Sequence, residues 1–234
     1  SLAIDPKDKC NIYVTDGAHI YRTVDCSRNW ELMFTEERPS QRFADLVISY
    51  KDSKTIYAVQ ANGDFLRSND SGVSWRIVKR FGFEVRALIA DPTKNDRLYL
   101  ASYKNGLYRS DDYGDLWTDL SKGFDSYNDS KTFNRLVLNP AQKDSLFWIS
   151  KYGILRSDDA GVTWKDLKLL TAPGGINIYS FAINSKNQTE IYYTGTILDN
   201  KNQNVRSTFY RSTDGGVNWV TKKLPTNTIP TALL

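Results

Sequence analysis

Apolar residues in this chain come in short runs of three or four, separated by polar and turn-forming stretches, with no sustained helical period. Runs of this length, rich in Ile, Leu, Val and Tyr and bounded by Asp, Asn, Pro, Ser or Gly, read as short half-buried strands. The runs also recur in a fixed order. A leading run appears as Leu2-Ala3-Ile4, Leu46-Val47-Ile48, Leu88-Ile89-Ala90, Leu136-Val137-Leu138 and Phe181-Ala182-Ile183. A second follows each after a polar loop: Ile12-Tyr13-Val14, Ile56-Tyr57-Ala58-Val59, Leu98-Tyr99-Leu100, Leu146-Phe147-Trp148-Ile149 and Ile191-Tyr192-Tyr193. A third ends each time in arginine, at Arg22, Arg67, Arg109, Arg156 and Arg211.

Directly after that arginine comes an eight-residue pattern, Ser-x-Asp-x-Gly-x-x-Trp. It stands at Ser68-Asp70-Gly72-Trp75, Ser110-Asp112-Gly114-Trp117, Ser157-Asp159-Gly161-Trp164 and Ser212-Asp214-Gly216-Trp219. A worn copy, Thr23-Asp25-Ser27-Trp30, has Thr for Ser and Ser for Gly. Each tryptophan is predicted to open a fourth strand. Four strands per period of about 40 to 50 residues is the pattern of a propeller blade. The predicted fold is therefore all-β, a β-propeller of five four-stranded repeats, with blades near 1–38, 39–82, 83–125, 126–172 and 173–226.

The octet resembles the Asp-box, or BNR repeat, of sialidases, xyloglucanases, sortilin-type receptors and photosystem assembly-factor propellers. Asp and Ser side chains at this spacing can accept backbone N–H groups a few residues on. Gly supplies a backbone angle that side chains disfavour, and Trp gives apolar area for blade-to-blade packing. The preceding arginine is expected to pair with an acid across the blade or to lie over the Trp. The resemblance implies that the boxes sit on the rim away from the active face. Function is then expected at the other edge, on loops near 16–19, 61–64, 103–106, 151–153 and 197–204 and on links near 35–42, 80–86, 122–131 and 171–177.

The ends bear on ring size. Phe43, Val85, Phe133 and Ile178 each stand three residues before the centre of a leading strand, and Ile229 fits the same frame. Residues 227–234 read as the start of a further inner strand or as a closure strand. Either this is a segment of a larger ring with flanking domains, or both ends share one blade.

Composition narrows the rest. Of 234 residues, 40% are hydrophobic and 25% charged, with 14 Tyr and 6 Trp, as suits a globular β protein. The net charge of +4 is mild, and Lys and Arg are interleaved with Asp and Glu, so no nucleic-acid partner is expected. No apolar run is long enough to span a membrane. The chain begins with Ser, consistent with a mature or trimmed segment. A single His and two Cys offer no metal set, and no cofactor motif is present.

Cys10 and Cys26 flank a predicted hairpin with arms near 11–14 and 20–23, which brings them within disulfide reach. Two separate buried thiols are the alternative. A disulfide would place the protein in an oxidising setting: secreted, periplasmic or at the cell surface. Sequons at Asn69, Asn128 and Asn187 are weaker signs of the same.

Two features of the active edge stand out. Arg38, Arg42, Arg80 and Arg86 fall in consecutive links and could gather a carboxylate or phosphate, or simply pair with Glu36, Glu37 and Glu84. Tyr103, Tyr113, Tyr127 and Tyr152, with Phe81 and Phe83, offer aromatic platforms for a sugar or protein, or else packing between blades.

The catalytic candidate is Asp16. Thr15-Asp16-Gly17-Ala18-His19-Ile20-Tyr21-Arg22 resembles a catalytic stretch of xyloglucanases, with Ala18 and His19 replacing two glycines. Glycoside hydrolysis needs a second carboxylate, which in xyloglucanases comes from a second propeller. The sialidase Arg-Ile-Pro motif is missing. The expectation is a non-catalytic extracellular module that binds a protein or glycan, or builds a larger assembly. A fragment of a xyloglucanase-like hydrolase is the alternative.

Overall fold

The computed structural model of the chain describes residues 1–199, 201 and 203–225. Five four-stranded antiparallel sheets account for nearly all of its regular structure. The predicted strand at 229–234 lies outside the described residues. Packing divides the chain into two compact units, residues 1–120 and residues from 121 onward.

Unit 1 holds three sheets. The first runs β1 (Leu2–Ile4), β2 (Ile12–Thr15), β3 (His19–Thr23), β4 (Glu31–Thr35). The second comprises β5 (Phe43–Ile48), β6 (Ile56–Gln60), β7 (Asp64–Ser68) and β8 (Arg76–Arg80). The third has β9 (Val85–Ala90), β10 (Leu98–Ser102), β11 (Leu107–Ser110) and a two-residue β12 (Thr118–Asp119). The leading strands β1, β5 and β9 neighbour one another from sheet to sheet. Asp45 helps to tie them: Ser1 Oγ donates to one carboxylate oxygen and Leu88 N to the other, at 2.5 and 3.0 Å.

Unit 2 opens with the one stretch of helix among the described residues, a 3₁₀ turn at Ser121–Phe124, unforeseen in the sequence. Its sheets are β13 (Phe133–Leu138), β14 (Leu146–Ser150), β15 (Ile154–Ser157), β16 (Lys165–Asp166), and β17 (Ile176–Ile183), β18 (Ile191–Leu198), β19 (Asn204–Ser212), β20 (Val220–Lys223). Phe124 stacks on Trp164 at 5.0 Å and lies 4.7 Å from the Trp148 ring. Trp148 is fully buried and donates to Ser130 O.

The short apolar runs seen in the sequence decide what is inside. Second strands are wrapped on both sides, so β6, β10 and β14 are buried at every position. Tyr13, Tyr57, Tyr99 and Phe147 stand second in β2, β6, β10 and β14 and are at most 1% exposed. Fourth strands form the outer edges and are largely exposed. Phe43, Val85 and Phe133 start their leading strands and Ile178 stands third in β17; each lies at a bulge, pairing with Gln60, Ser102, Ser150 and Gly195.

The octets occupy the turn between third and fourth strands and repeat one hydrogen-bond scheme. The hydroxyl of Ser68, Ser110, Ser157 or Ser212 donates to the box Asp at 2.8 Å. It also accepts the N–H of Gly72, Gly114, Gly161 or Gly216 at 2.8 to 2.9 Å. The aspartate in turn accepts the N–H four residues on, from Ser74, Leu116, Thr163 or Asn218. The worn copy keeps the scheme, with Thr23 bonded to Asp25 at 2.8 Å and Ser27 N donating to Thr23.

Trp75 reaches Phe34 of the preceding sheet, and Trp117 lies edge-on to Phe65 at 5.2 Å. Trp219 meets Leu167, whereas Trp30 is 43% exposed. The pre-box arginines pair rather than cover the tryptophans. Arg109, Arg156 and Arg211 bond Asp111, Asp158 and Glu190. Arg22 bonds Asn11 over the Tyr13 ring. Arg67 crosses to the next sheet and pairs with Asp115 at 2.9 Å.

Candidate functional site

Antiparallel order puts box turns and first loops on one edge of each sheet, and second turns and inter-sheet links on the other. In unit 1 that second edge is stitched together by backbone bonds. Glu36 N donates to Ala18 O, Phe43 N to Gly17 O, Ala61 N to Arg42 O, Phe81 N to Gly63 O and Tyr103 N to Glu84 O. The loops are thus held as one continuous rim, and candidate side chains project from a fixed frame.

On that rim Arg38 and Arg80 meet at Asp64, a residue 4% exposed, at 3.6 and 3.5 Å. Arg38 also forks onto Glu36 with two bonds of 2.8 Å and donates to Gln60. Gln60 Nε2 in turn donates to Glu36. The Arg38 hydrogen bond leads the causes that pull the Glu36 carboxyl down to about 2, so it stays ionised. The cations remain outside this buried base, with side chains of Arg38 and Arg80 48% and 69% exposed. The sequence pointed to Glu36 and, within the loop at 61–64, to Asp64, but not to Gln60. The signal for Gln60 and Asp64 was position: they are the last residue of β6 and the first of β7, both buried at a turn where a polar side chain needs a partner.

Arg86 pairs with Glu84 at 2.5 Å and lies over the Tyr103 ring at 4.7 Å, with Lys104 on the same ring at 5.3 Å. Arg42 is exposed, and its side chain lies against Gly17. Unit 1 therefore carries Arg38, Arg42, Arg80, Arg86 and Tyr103 on one rim. Tyr152 belongs to unit 2, where its hydroxyl donates to Asp166 at 3.0 Å and its pKa is raised to about 12 by burial and that bond.

Other aromatic candidates sort differently. Phe81 and Phe83 pack with Tyr108 and Trp117 inside unit 1. Tyr127 meets Tyr152 edge-on and donates to Trp164 O. Tyr113 lies on the box edge, because it fills the left-handed position of its octet at φ 63°.

Asp16 sits at the turn of the first hairpin and is spent on it. Ala18 N, His19 N and His19 Nδ1 all lie within 2.8 to 2.9 Å of its carboxylate. The His19 side-chain bond leads the causes that lower its pKa to about 2. A general acid needs the opposite shift. Among the described residues no group of three or more His, Cys, Asp or Glu is placed to hold a metal ion, and no helix is long and apolar enough to cross a membrane. Cys10 and Cys26 form a disulfide that clasps the first hairpin.

No protein-family model matches the chain, and no curated protein matches it by sequence. Solved structures do match. The GH74 xyloglucanase from Xanthomonas campestris superposes with a TM-score of 0.69 at 15% identity, over 94% of this chain and 38% of that one. YCF48 from Cyanidioschyzon merolae gives 0.60 at 14%, over 96% and 84%. A chain of the nidogen/laminin complex gives 0.58 at 17%, over 88% and 78%. The chain spans less than two fifths of the GH74 chains it matches. At these identities the likeness concerns fold: the sheets are β-propeller blades carrying Asp-boxes.

Proposed function

We propose that this chain is a non-catalytic propeller module that acts outside the cytoplasm and docks a carboxylate-rich protein segment on the rim of unit 1. The observation that carries the reading is the row of exposed arginines: Arg38 and Arg80 lean on buried Asp64, Arg38 also on buried Glu36 and Gln60, and Arg86, paired with Glu84, lies over Tyr103. Arginine forks suit carboxylates, and a ring beside them adds an apolar contact. The fold likeness to a chain of a nidogen/laminin complex, a structure of two proteins bound together, supports it as precedent. The Cys10–Cys26 bridge supports an oxidising compartment. Exposed pairs are individually weak, about 0.2–1 kcal/mol each, so binding should be salt-sensitive.

The test is fluorescence anisotropy of a labelled Glu-rich peptide against wild type and an Arg80→Ala/Arg86→Ala variant. Binding weakened about tenfold by the double change, corresponding to about 1.4 kcal/mol, and weakened again by salt, is expected. Equal affinity for both proteins would overturn the reading. A xyloglucanase-like hydrolase is the second reading, favoured by the fold likeness to GH74 blades. Cleavage of xyloglucan oligosaccharides that disappears in Asp16→Asn would establish it instead.

A further inference from the structure

The box edge of unit 1 carries a second feature, independent of the rim. Between the second and third sheets lies a cavity of about 340 Å³ lined only by side chains that bear polar groups, among them Lys51, Tyr57, Arg67, Tyr113 and Asp115. It is a built site. Arg67 is 8% exposed and its guanidinium is clamped, one terminal nitrogen on Asp115 at 2.9 Å and the other on Tyr113 O at 3.1 Å. Arg22, Arg156 and Arg211, at the equivalent position of other repeats, bond within their own sheets.

The hydrogen-bond inventory is lopsided. Two buried polar atoms of the lining are under-satisfied: Arg67 Nε has no partner, and the Tyr57 hydroxyl, on a residue 1% exposed, has beside it only the Ser49 hydroxyl of the same lining. The acids nearby are engaged: Asp115 by Arg67, and Asp52 by Lys54 N and Thr55 Oγ1. Lys51, also in the lining, donates to Tyr113 Oη at 2.9 Å, with its ammonium 4.8 Å from that ring's centre. That bond spends the Tyr113 oxygen as acceptor and leaves its proton to give. Lys51, Arg67, Tyr57 and Tyr113 thus keep donor capacity in the lining, and two of them are cationic. Buried donors without acceptors are costly and rare in native proteins, and a concave site with a few convergent polar groups is how small ligands are held.

We infer that this cavity binds a small hydroxylated molecule through an oxyanion, carboxylate or phosphate, which accepts from Arg67, Tyr57 and Lys51. The hydroxyls of such a ligand would face the remaining polar lining.

Isothermal titration of the intact protein with glucuronate, glucose 6-phosphate and glucose separates the chemistries. Saturable binding of at least one anion with Kd of about 1 mM or tighter, and not of glucose, is expected, and the anion that binds identifies the oxyanion. Tyr57→Phe and Lys51→Gln should each weaken it about tenfold, the scale of one hydrogen bond to a charged group. Tyr57→Phe should also leave the melting temperature of the free protein nearly unchanged, because the lost hydroxyl has no partner beyond the Ser49 hydroxyl of the same lining. No binding of either anion, equal binding of glucose, or affinity indifferent to both substitutions would overturn the assignment. A clear drop in melting temperature in Tyr57→Phe would do so as well, by showing the hydroxyl to be structural. Failure here would leave the arginine rim untouched, since neither residue lies on it.

Discussion

Gly114→Ala offers a quantitative test of what the box glycine does. The Gly114 backbone has φ +92°, and a Cβ built there would stand 2.5 Å from two carbons of the Phe65 ring in the preceding sheet. Two costs follow. Holding an alanine in the left-handed region costs about 1–2 kcal/mol. Forcing a methyl into a packed aromatic contact costs a further 1–3 kcal/mol or so. Gly82 supplies the control, because its φ is +74° and nothing lies within 4 Å of its added Cβ. Gly82→Ala should therefore cost about 1–2 kcal/mol and Gly114→Ala about 2–5. Urea unfolding followed by tryptophan fluorescence, compared at constant slope, measures the difference. Phe65→Leu in the Gly114→Ala background should recover part of the loss, with a coupling of about 1 kcal/mol. Equal costs at the two glycines, and no coupling to Phe65, would refute the claim that the box seats one blade on the next.

Replacing Cys10 and Cys26 together by Ser opens a loop closed over a sequence separation of 16, which should cost about 3 kcal/mol and lower the thermal midpoint. Acid should also destabilise the boxes in a defined window. Asp25, Asp70 and Asp214 are lowered from 3.8 to about 2, chiefly by bonds from Asn29, Ser74 and Asn218 respectively. The native state thus binds these protons less readily than the unfolded chain. Their contribution is complete above about pH 4 and is lost as pH falls toward 2, so melting temperature against pH should bend downward there and not near neutrality. Trp117→Ala should destabilise far more than Trp30→Ala, since Trp117 packs on Phe65 and Phe81 while Trp30 is 43% exposed. Chemical denaturation of both variants checks this.

The blades were legible in the sequence because both of their signals are local. Short continuous apolar runs in a fixed order marked the first three strands, and the octet marked the turn that follows them. The fourth strands of two sheets were harder, because Thr118–Asp119 and Lys165–Asp166 are two residues long and bury no apolar face. The 3₁₀ turn at Ser121–Phe124 depends on Phe124 finding Trp164 and Trp148, a contact far away in sequence. The rim was legible as loops and charges but not as geometry. Nothing in the spacing of Arg38 and Arg80 says that both lean on Asp64. The reach of Arg67 into the neighbouring box was hidden for the same reason: the other arginines occupy the same place in the motif and pair at home.

The most direct test of the rim as the docking surface is hydrogen–deuterium exchange of the intact protein with and without a saturating Glu-rich peptide. Slowed exchange in the links at 36–42 and 80–86 and the turn at 103–106, with the box turns at 68–75 and 110–117 unchanged, is the predicted footprint. Protection confined to the box turns, or none on the rim at saturation, would contradict it.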